Sequence, residues 1–242
     1  MEEIKQESSM GRRGSSGGRR DDVGFSDGEL EKFDEALEAA SDSSKPDVQK
    51  KWSIPAGVDP EGGHFLSSGY TFWFVRRSGA RSQENYANAI KRIGGFRSIE
   101  GFWKYYNHLV RPHDLPNTSD YHLFKEGIKP MWEDDANKRG GKWIIRLKKG
   151  LATKYWEDLL LAIVGEQFQV GDEICGIVCS IRFNEDILSV WNKSADNKQA
   201  RLKIHETLKT VLNLPPNTPM EYKCHDDSIR DNSSFRNTDI YR

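Results

Sequence analysis

Apolar and polar residues alternate most regularly in residues 142–149, KWIIRLKK. Trp143, Ile145 and Leu147 fall on one side of this pattern, while the other side is mainly cationic. A period of two is typical of a β-strand with one face in the core. The stretch therefore predicts a strand whose second face carries positive charge.

Aromatic and β-branched residues predict another strand at residues 70–77, YTFWFVRR. Two more strand-like stretches, GIVCSIRF and DILSVW, flank residues 184–185. This spacing predicts a hairpin with a two-residue turn. In that register Arg182 pairs with Ile187 and lies on the same face as Trp191.

Three stretches have the length and the end signals of helices. Residues 98–110 begin with Ser98 as a predicted N-cap, and a second helix runs from a Thr153 cap to a stop at Gly165. A third, DNKQARLKIHETLKTVLNL, ends before the prolines at 215–216. Hairpins interrupted by helices, without a regular βαβ order, predict an α+β fold with an antiparallel sheet and helices on one face.

The composition divides the chain into a core and two tails. Of its 242 residues 36% are hydrophobic and 30% are charged, so a packed core can form while part of the chain stays solvated. Ser, Gly and charged residues dominate residues 1–61, and a second polar stretch closes the chain. We predict a disordered tail at 1–61, a folded domain at 62–225 and a flexible tail at 226–242.

Charge and cysteine content exclude several classes of function. A net charge of -1 excludes a protein that holds nucleic acid by overall positive charge. No apolar run approaches the ~20 residues that span a bilayer, so we expect a soluble cytoplasmic protein without a membrane partner. Cys175 and Cys179 lie in an apolar run and are expected to be core residues in a reducing compartment, without a metal site.

The stretch KPMWEDDANKRGGKW places an indole beside carboxylates. The Glu133 carboxylate can accept two parallel hydrogen bonds, and guanine offers two adjacent donors on one edge. The Trp132 indole can stack on a base for ~1–3 kcal/mol, with a cation–π gain if the base is methylated at N7. Lys142, Arg146 and Arg182 could then bind phosphates. Pattern alone leaves the alternative open, a half-buried Trp132 beside a solvated acidic turn.

Residues 122–147, HLFKEGIKPMWEDDANKRGGKWIIRL, resemble the messenger-RNA cap-binding translation initiation factor 4E family. FWKYYNHL, YWEDLLLAIVGEQF, EICGIVCSIRFNEDILSVWNK and LNLPPNTPMEYK extend the resemblance over about residues 63–223. The resemblance implies a curved antiparallel sheet with three long helices on its convex face and a cap-binding slot on its concave face. It also implies no catalysis and no cofactor, the ligand being the 7-methylguanosine cap of messenger RNA.

In that family two aromatic rings enclose the methylated guanine. The resemblance assigns Trp132 to one ring, Glu133 to the guanine edge and Trp191 to the N7-methyl group. Tyr86 stands where typical members have tryptophan, as in the class II branch, the 4E-homologous and plant novel cap-binding proteins. A phenol stacks over less area than an indole, so weaker cap binding is expected.

The phosphate contacts differ from the typical family pattern. Arg182 matches a phosphate ligand, whereas the usual lysine of the hairpin falls on Ile187. We expect Arg146 to replace it, with Lys142 as a third candidate.

The predicted helix at 98–110 has one apolar stripe more than a helix on a sheet needs. Ile99 and Trp103 form this surplus stripe, which is either a partner site or packing against a neighbouring helix. The family resemblance implies a site for a helical tyrosine-and-leucine motif of scaffold or repressor proteins, formed by Trp103, Ile99, Leu161, His64 and Phe65.

Together these features predict a monomeric class II protein that binds capped messenger RNA and regulates translation, often as a repressor. Two alternatives are compatible with the same sequence: a conventional initiation factor that recruits the scaffold subunit, and an interaction adaptor with a vestigial slot. An enzyme acting on nucleotides is disfavoured, because NKRGGKW lacks the spacing of a phosphate-binding loop.

Overall fold

The structure, a computed structural model, describes residues 63–76 and 83–241, so the tail predicted at residues 1–61 lies outside the described residues. The described strands form one curved antiparallel sheet in the order β2-β1-β3-β5-β6-β4-β7-β8. The strands are β1 (Phe65–Arg76), β2 (Ile90–Ser98), β3 (Ser119–Lys125), β4 (Gly141–Leu147), β5 (Ile174–Ile181), β6 (Asp186–Asn192), β7 (Met220–Cys224) and β8 (Asp239–Tyr241). The helices are α1 (Gln83–Ala89), α2 (Ile99–Tyr106), α3 (Ala152–Val164), α4 (Lys198–Val211) and α5 (His225–Asp231).

The two faces of β4 separate as the alternation predicts. Trp143, Ile145 and Leu147 are buried in the main core, together with apolar residues of α2, α3 and α4. Lys142 and Arg146 lie on the opposite, concave face. Cys175 and Cys179 are both buried, as predicted. The α+β prediction is confirmed.

The ends of the helices follow local hydrogen bonding. The Ser98 hydroxyl accepts the Gly101 N–H at 3.1 Å, so the predicted N-cap of α2 is confirmed. Gly165 ends α3 as predicted. The Thr153 cap was wrong: α3 already begins at Ala152, and the Thr153 hydroxyl instead accepts the His113 N–H at 3.1 Å.

The β5–β6 hairpin has a different register from the prediction. Ile181 pairs with Asp186 and Ser180 pairs with Ile187, so Arg182 lies in the loop and not in the ladder. The Asp186 carboxylate accepts hydrogen bonds from the Lys149 ammonium at 2.6 Å and from the Arg182 backbone N–H at 3.4 Å. These bonds fix Asp186 at the start of β6 and widen the predicted turn to residues 182–185.

The polar stretch at 226–242 is not a flexible tail within the described residues. It forms α5 and β8, and β8 pairs with β7. The Tyr241 ring packs edge-on against Trp143 with centroids 4.9 Å apart, and the Asp231 carboxylate accepts the ammonium of buried Lys223 at 2.6 Å. These contacts order a segment whose local composition is polar, and they extend the folded domain beyond residue 225.

None of the helices in the described ranges is long and apolar enough to cross a membrane.

Candidate functional site

One end of the concave face is built around the Trp191 indole. Strand register places Lys142 and Gly176 on either side of Trp191 and places Phe124 beyond Gly176. A side chain at Gly176 would come within 2.4 Å of the Phe124 ring, so glycine allows that ring to approach Trp191, at 5.3 Å between centroids. Trp132 packs against this small cluster, apart from the main core.

The loop that carries Trp132 is held by its own polar side chains. The buried Asn137 amide donates to the carbonyls of Lys129 and Met131 at 2.8 and 2.7 Å. The Asp134 carboxylate accepts the N–H groups of Lys129 and Ala136 at 3.1 and 3.0 Å. Asp134 therefore anchors the loop, while the neighbouring Glu133 is exposed. Sequence reasoning missed the positioning roles of Asp134 and Asn137.

Tyr86, on α1, reaches the same loop. Its half-buried phenol donates to the Pro130 carbonyl at 3.2 Å. Tyr86 and Trp132 are 46 positions apart in the chain, yet the fold brings both to one loop. The residues predicted to enclose a base are thus brought together.

Lys142 lies among the aromatic rings at this end of the concave face. Its ammonium is 5.9 Å from the Trp132 ring centroid and 5.7 Å from that of Trp191. It also donates to the Ser234 hydroxyl at 2.5 Å, and the residue is only 3% exposed. The Lys142 ammonium therefore lies within 6 Å of both a buried indole, Trp191, and a partly buried one, Trp132.

His225 backs the Trp191 indole, with ring centroids 4.2 Å apart. Burial, followed by the nearby Lys142 charge, lowers the pKa of His225 well below its usual value. Among the described residues, no hydrogen-bond partner is found for the buried Trp191 indole nitrogen. His225 and Ser234 escaped sequence reasoning because both lie at or beyond the predicted end of the domain.

Arg182 is held at the other end of the concave face. Its guanidinium donates to the buried Asp120 carboxylate at 2.6 Å and to the carbonyls of Ser119 and Ile181 at 3.2 and 2.9 Å. Its side chain is 26% exposed. The ion pair and the carbonyls orient the guanidinium while part of it remains open to a ligand.

Arg146 is bound within the protein. The carboxylates of Glu221 and Glu185 accept hydrogen bonds from its guanidinium at 2.6 and 2.5 Å, and these bonds raise the pKa of Arg146. Two carboxylates therefore compensate its charge, although its side chain is 35% exposed. The structure therefore gives no support to the expectation that Arg146 replaces the missing lysine at Ile187.

The surplus stripe of α2 lies on the protein surface. Ile99 and Trp103 are 44% and 38% exposed, whereas Phe102 and Tyr106 are buried. The Tyr106 hydroxyl donates to Glu157 of α3 at 2.5 Å, and Leu161, one turn further along α3, is 41% exposed.

The start of β1 is fixed to the same helix. The His64 N–H donates to Glu100 at 2.8 Å, and Ile99 donates to the His64 carbonyl at 2.9 Å. Phe65 follows directly and is half-buried. The five predicted surface residues therefore lie on adjoining elements.

A surface cavity and the absence of a metal-binding cluster are two further features of the described residues. A surface cavity of about 510 Å³ opens beside the Trp132 loop, but its lining, which includes Lys138, Arg139 and Lys193, contains none of the predicted ligands. Within residues 63–76 and 83–241, no group of three or more His, Cys, Asp or Glu side chains is placed to hold a metal ion.

The sequence of this chain is similar to those of known translation initiation factors. The family model for eukaryotic initiation factor 4E matches residues 65–240. The chain is 53% identical over 185 residues to eukaryotic translation initiation factor 4E-4 of Caenorhabditis elegans, covering 76% of this chain and 86% of the relative. It is also 53% identical over 178 residues to eukaryotic translation initiation factor NCBP of Oryza sativa subsp. japonica, covering 73% and 78% of the two chains.

Solved structures show the same similarity. C. elegans eIF4E-3 in complex with the 4E-binding protein Mextli and cap analog has a TM-score of 0.66 and 38% identity, over 69% of this chain and 96% of that one. Ascaris suum eIF4E-3 with m2,2,7G cap has a TM-score of 0.66 and 34% identity, over 74% and 98% of the chains.

Proposed function

The chain belongs to the eukaryotic initiation factor 4E family, in its class II branch, and we propose that it binds the 7-methylguanosine cap of messenger RNA and regulates translation. The observation that carries this proposal is the convergence of Tyr86, Trp132, Glu133 and Trp191 around one loop and strand end. The proposed activity is binding, without a catalytic step or a cofactor.

The methylated guanine would stack between Tyr86 and Trp132, with its N1–H and N2 amino group donating to the Glu133 carboxylate. The N7-methyl group would meet the Trp191 indole, where the positive charge of the base gains a cation–π interaction. Because Asn137 and Asp134 already fix the loop, little order has to be imposed on Trp132 when the base binds.

The phosphates would extend toward Lys142 and Arg182. Both are cations on the concave face, and Asp120 orients the Arg182 guanidinium. Since Arg146 is occupied by two carboxylates, the proposal rests on two phosphate ligands and not on three. Together with the smaller ring of Tyr86, this supports weaker cap binding than typical members have.

The exposed Ile99, Trp103 and Leu161 would bind a helical tyrosine-and-leucine motif of a scaffold or repressor protein. A helix in an apolar groove uses anchors spaced by one turn, which suits a patch spread over α2 and α3. We propose that the protein acts as a monomer in the cytoplasm, and that its partner decides whether the bound messenger is translated or silenced.

Titration with 7-methyl-GTP and GTP, followed by tryptophan fluorescence, tests the cap slot. We expect saturable quenching that requires the methyl group and is weakened at least about tenfold in Tyr86→Ala and in Glu133→Ala. Asp135→Asn is the matched control, because its side chain is 93% exposed in the same loop. Equal responses to the two nucleotides in the wild type would contradict the proposal.

A further inference from the structure

The β5–β6 loop, residues 182–185, carries an aromatic ring that points away from both hydrophobic clusters. Phe183 is 69% exposed, the largest fraction among the large apolar side chains of the described residues. Since an exposed ring forgoes most of the free energy that burial supplies, Phe183 contributes little to the stability of the fold. Its ring is open to a ligand.

The backbone beneath this ring is fixed by charged side chains. The Arg182 guanidinium is held by the ion pair described above, and the Lys149 ammonium donates to the Arg182 carbonyl at 2.8 Å. At the other end of the loop, the Glu185 carboxylate accepts a hydrogen bond from the Arg146 guanidinium at 2.5 Å. The loop is therefore anchored on both sides of the exposed ring, so little conformational freedom is lost when a ligand binds there.

The loop lies where the proposed ligand would leave the concave face. Ile187 pairs with Ser180 next to the loop, and Trp191 lies four positions further along β6, about 13 Å away. In the proposed complex the methylated guanine contacts Trp191 and its phosphates extend toward Arg182. The first nucleotide of the RNA is attached to the last of these phosphates. It would reach the loop at Phe183, which directly follows Arg182.

We propose that the Phe183 ring stacks on the base of the first nucleotide that follows the cap. The inference rests on the proposed cap-binding function and deepens it, because it extends the recognised ligand from the cap into the RNA chain. Every base has a face that can stack on an aromatic ring, so this contact tolerates any first nucleotide. The neighbouring Arg182 guanidinium can bind the adjoining phosphate at the same time.

The charges near the ring fit an RNA chain better than an apolar protein segment. The Lys149 side chain is 43% exposed, whereas that of its partner Asp186 is 4% exposed. Lys148 is exposed beside Lys149. The Glu185 side chain is 37% exposed, and its charge is paired within the protein. The solvent side of the loop is thus mainly cationic, which favours a phosphate backbone.

Calorimetric titration of the full chain with 7-methyl-GTP and with the cap dinucleotide m7GpppA tests the inference. We expect Phe183→Ala to weaken binding of m7GpppA at least about fivefold, because a base stack is lost. Binding of 7-methyl-GTP, which has no second base, should change by less than about twofold.

Three further variants separate stacking from other effects. Phe183→Leu keeps an apolar side chain without a ring and should lose as much affinity for m7GpppA as the Ala variant. Phe183→Trp offers a larger ring and should bind m7GpppA at least as tightly as the wild type. Leu202→Ala removes another exposed apolar side chain, 54% exposed on α4, and should bind both ligands like the wild type.

Wild-type affinity for m7GpppA in Phe183→Ala or in Phe183→Leu would overturn the inference. Equal losses for both ligands in Phe183→Ala would also overturn it, because the ring would then act on the cap and not on the nucleotide. These outcomes are distinct from failure of the proposed function. If the wild type does not prefer 7-methyl-GTP to GTP, cap binding fails and the stacking role fails with it. If the preference is present but m7GpppA does not depend on the ring, only the role of Phe183 fails.

Discussion

His225 links the proposed slot to the stability of the fold. Its imidazole is fully buried against Trp191, and burial holds its pKa well below 6.5. The unfolded chain therefore takes up a proton near pH 6.5 at this site, while the folded protein does so only at much lower pH. The stability that neutral His225 provides is complete above about pH 6.5 and is lost as the pH falls below that value.

We expect this one group to lower the free energy of unfolding by about 1 kcal/mol between pH 6.5 and 5.5. Urea denaturation at both pH values measures the loss. In His225→Phe, which keeps a ring and cannot titrate, the loss should shrink by that amount. His108→Gln, at an exposed position, is the control for removing an imidazole. An identical pH dependence in wild type and His225→Phe would contradict the prediction.

Single residues also show where sequence reasoning succeeds and where it stops. Trp132 and Glu133 are adjacent in a recognisable motif, so a candidate base contact is visible from the sequence. The ion pairs of Arg146 are not visible from the sequence, because its carboxylate partners Glu185 and Glu221 are 39 and 75 positions away. A cation's availability depends on such distant partners, which only the fold brings together.

Helix α2 presents two apolar stripes with different surroundings. Phe102 is buried and stacks on Tyr106 with ring centroids 5.5 Å apart, whereas Trp103 is 38% exposed. Burial of an aromatic side chain contributes several kcal/mol to stability, and an exposed one contributes much less. The two neighbouring residues should therefore separate stability from partner binding.

We expect Phe102→Ala to lower the free energy of unfolding by about 3–5 kcal/mol. Trp103→Ala should change it by less than about 1 kcal/mol, since its ring is partly exposed. The same Trp103→Ala change should weaken binding of a helical tyrosine-and-leucine peptide at least about tenfold, as expected for a central aromatic anchor. Urea denaturation and peptide titration measure the two effects.

Trp103→Phe, which retains a ring, should keep part of the peptide affinity. Binding of 7-methyl-GTP should be unchanged in both Trp103 variants, which shows that the slot is intact. If Trp103→Ala destabilised the domain as strongly as Phe102→Ala, the exposed stripe would be part of the core and not a partner site.

At the scale of single helices and strands, regular sequence patterns predicted the elements well. They predicted the contacts between those elements poorly. The β4 strand and the Ser98 cap of α2 are local signals, and both are confirmed. The β5–β6 register depends on Lys149 reaching Asp186, a contact with the segment after β4. Helix α5 and β8 are likewise held by contacts with distant residues. Asp231 of α5 pairs with buried Lys223, and Tyr241 of β8 packs against Trp143.

Across the whole molecule, the described residues after Cys224 extend the sheet and contact residues of the proposed slot. β8 extends the sheet beside β7, and Asp231 neutralises Lys223, which is fully buried. His225 and Ser234 contact Trp191 and Lys142, two residues of the proposed slot. The N-terminal residues 1–61 differ in composition, and we propose that they are dispensable for the fold. The two ends of the chain should therefore respond differently to truncation.

We expect truncation after Cys224 to lower the thermal midpoint by roughly 5–10 °C, because it exposes an edge of the core and leaves the Lys223 charge without its carboxylate. Cap affinity should fall with it, since His225 and Ser234 are removed from the slot. Removing residues 1–61 should shift the midpoint by less than about 2 °C and leave the preference for 7-methyl-GTP over GTP intact.

Thermal denaturation with and without 7-methyl-GTP measures both effects, because a ligand that binds only the folded state raises the midpoint. A C-terminal truncation that keeps both the midpoint and the ligand-induced rise would show that residues 225–242 contribute to neither the sheet nor the slot. If only the ligand-induced rise were lost, their role would lie in the slot rather than in the sheet.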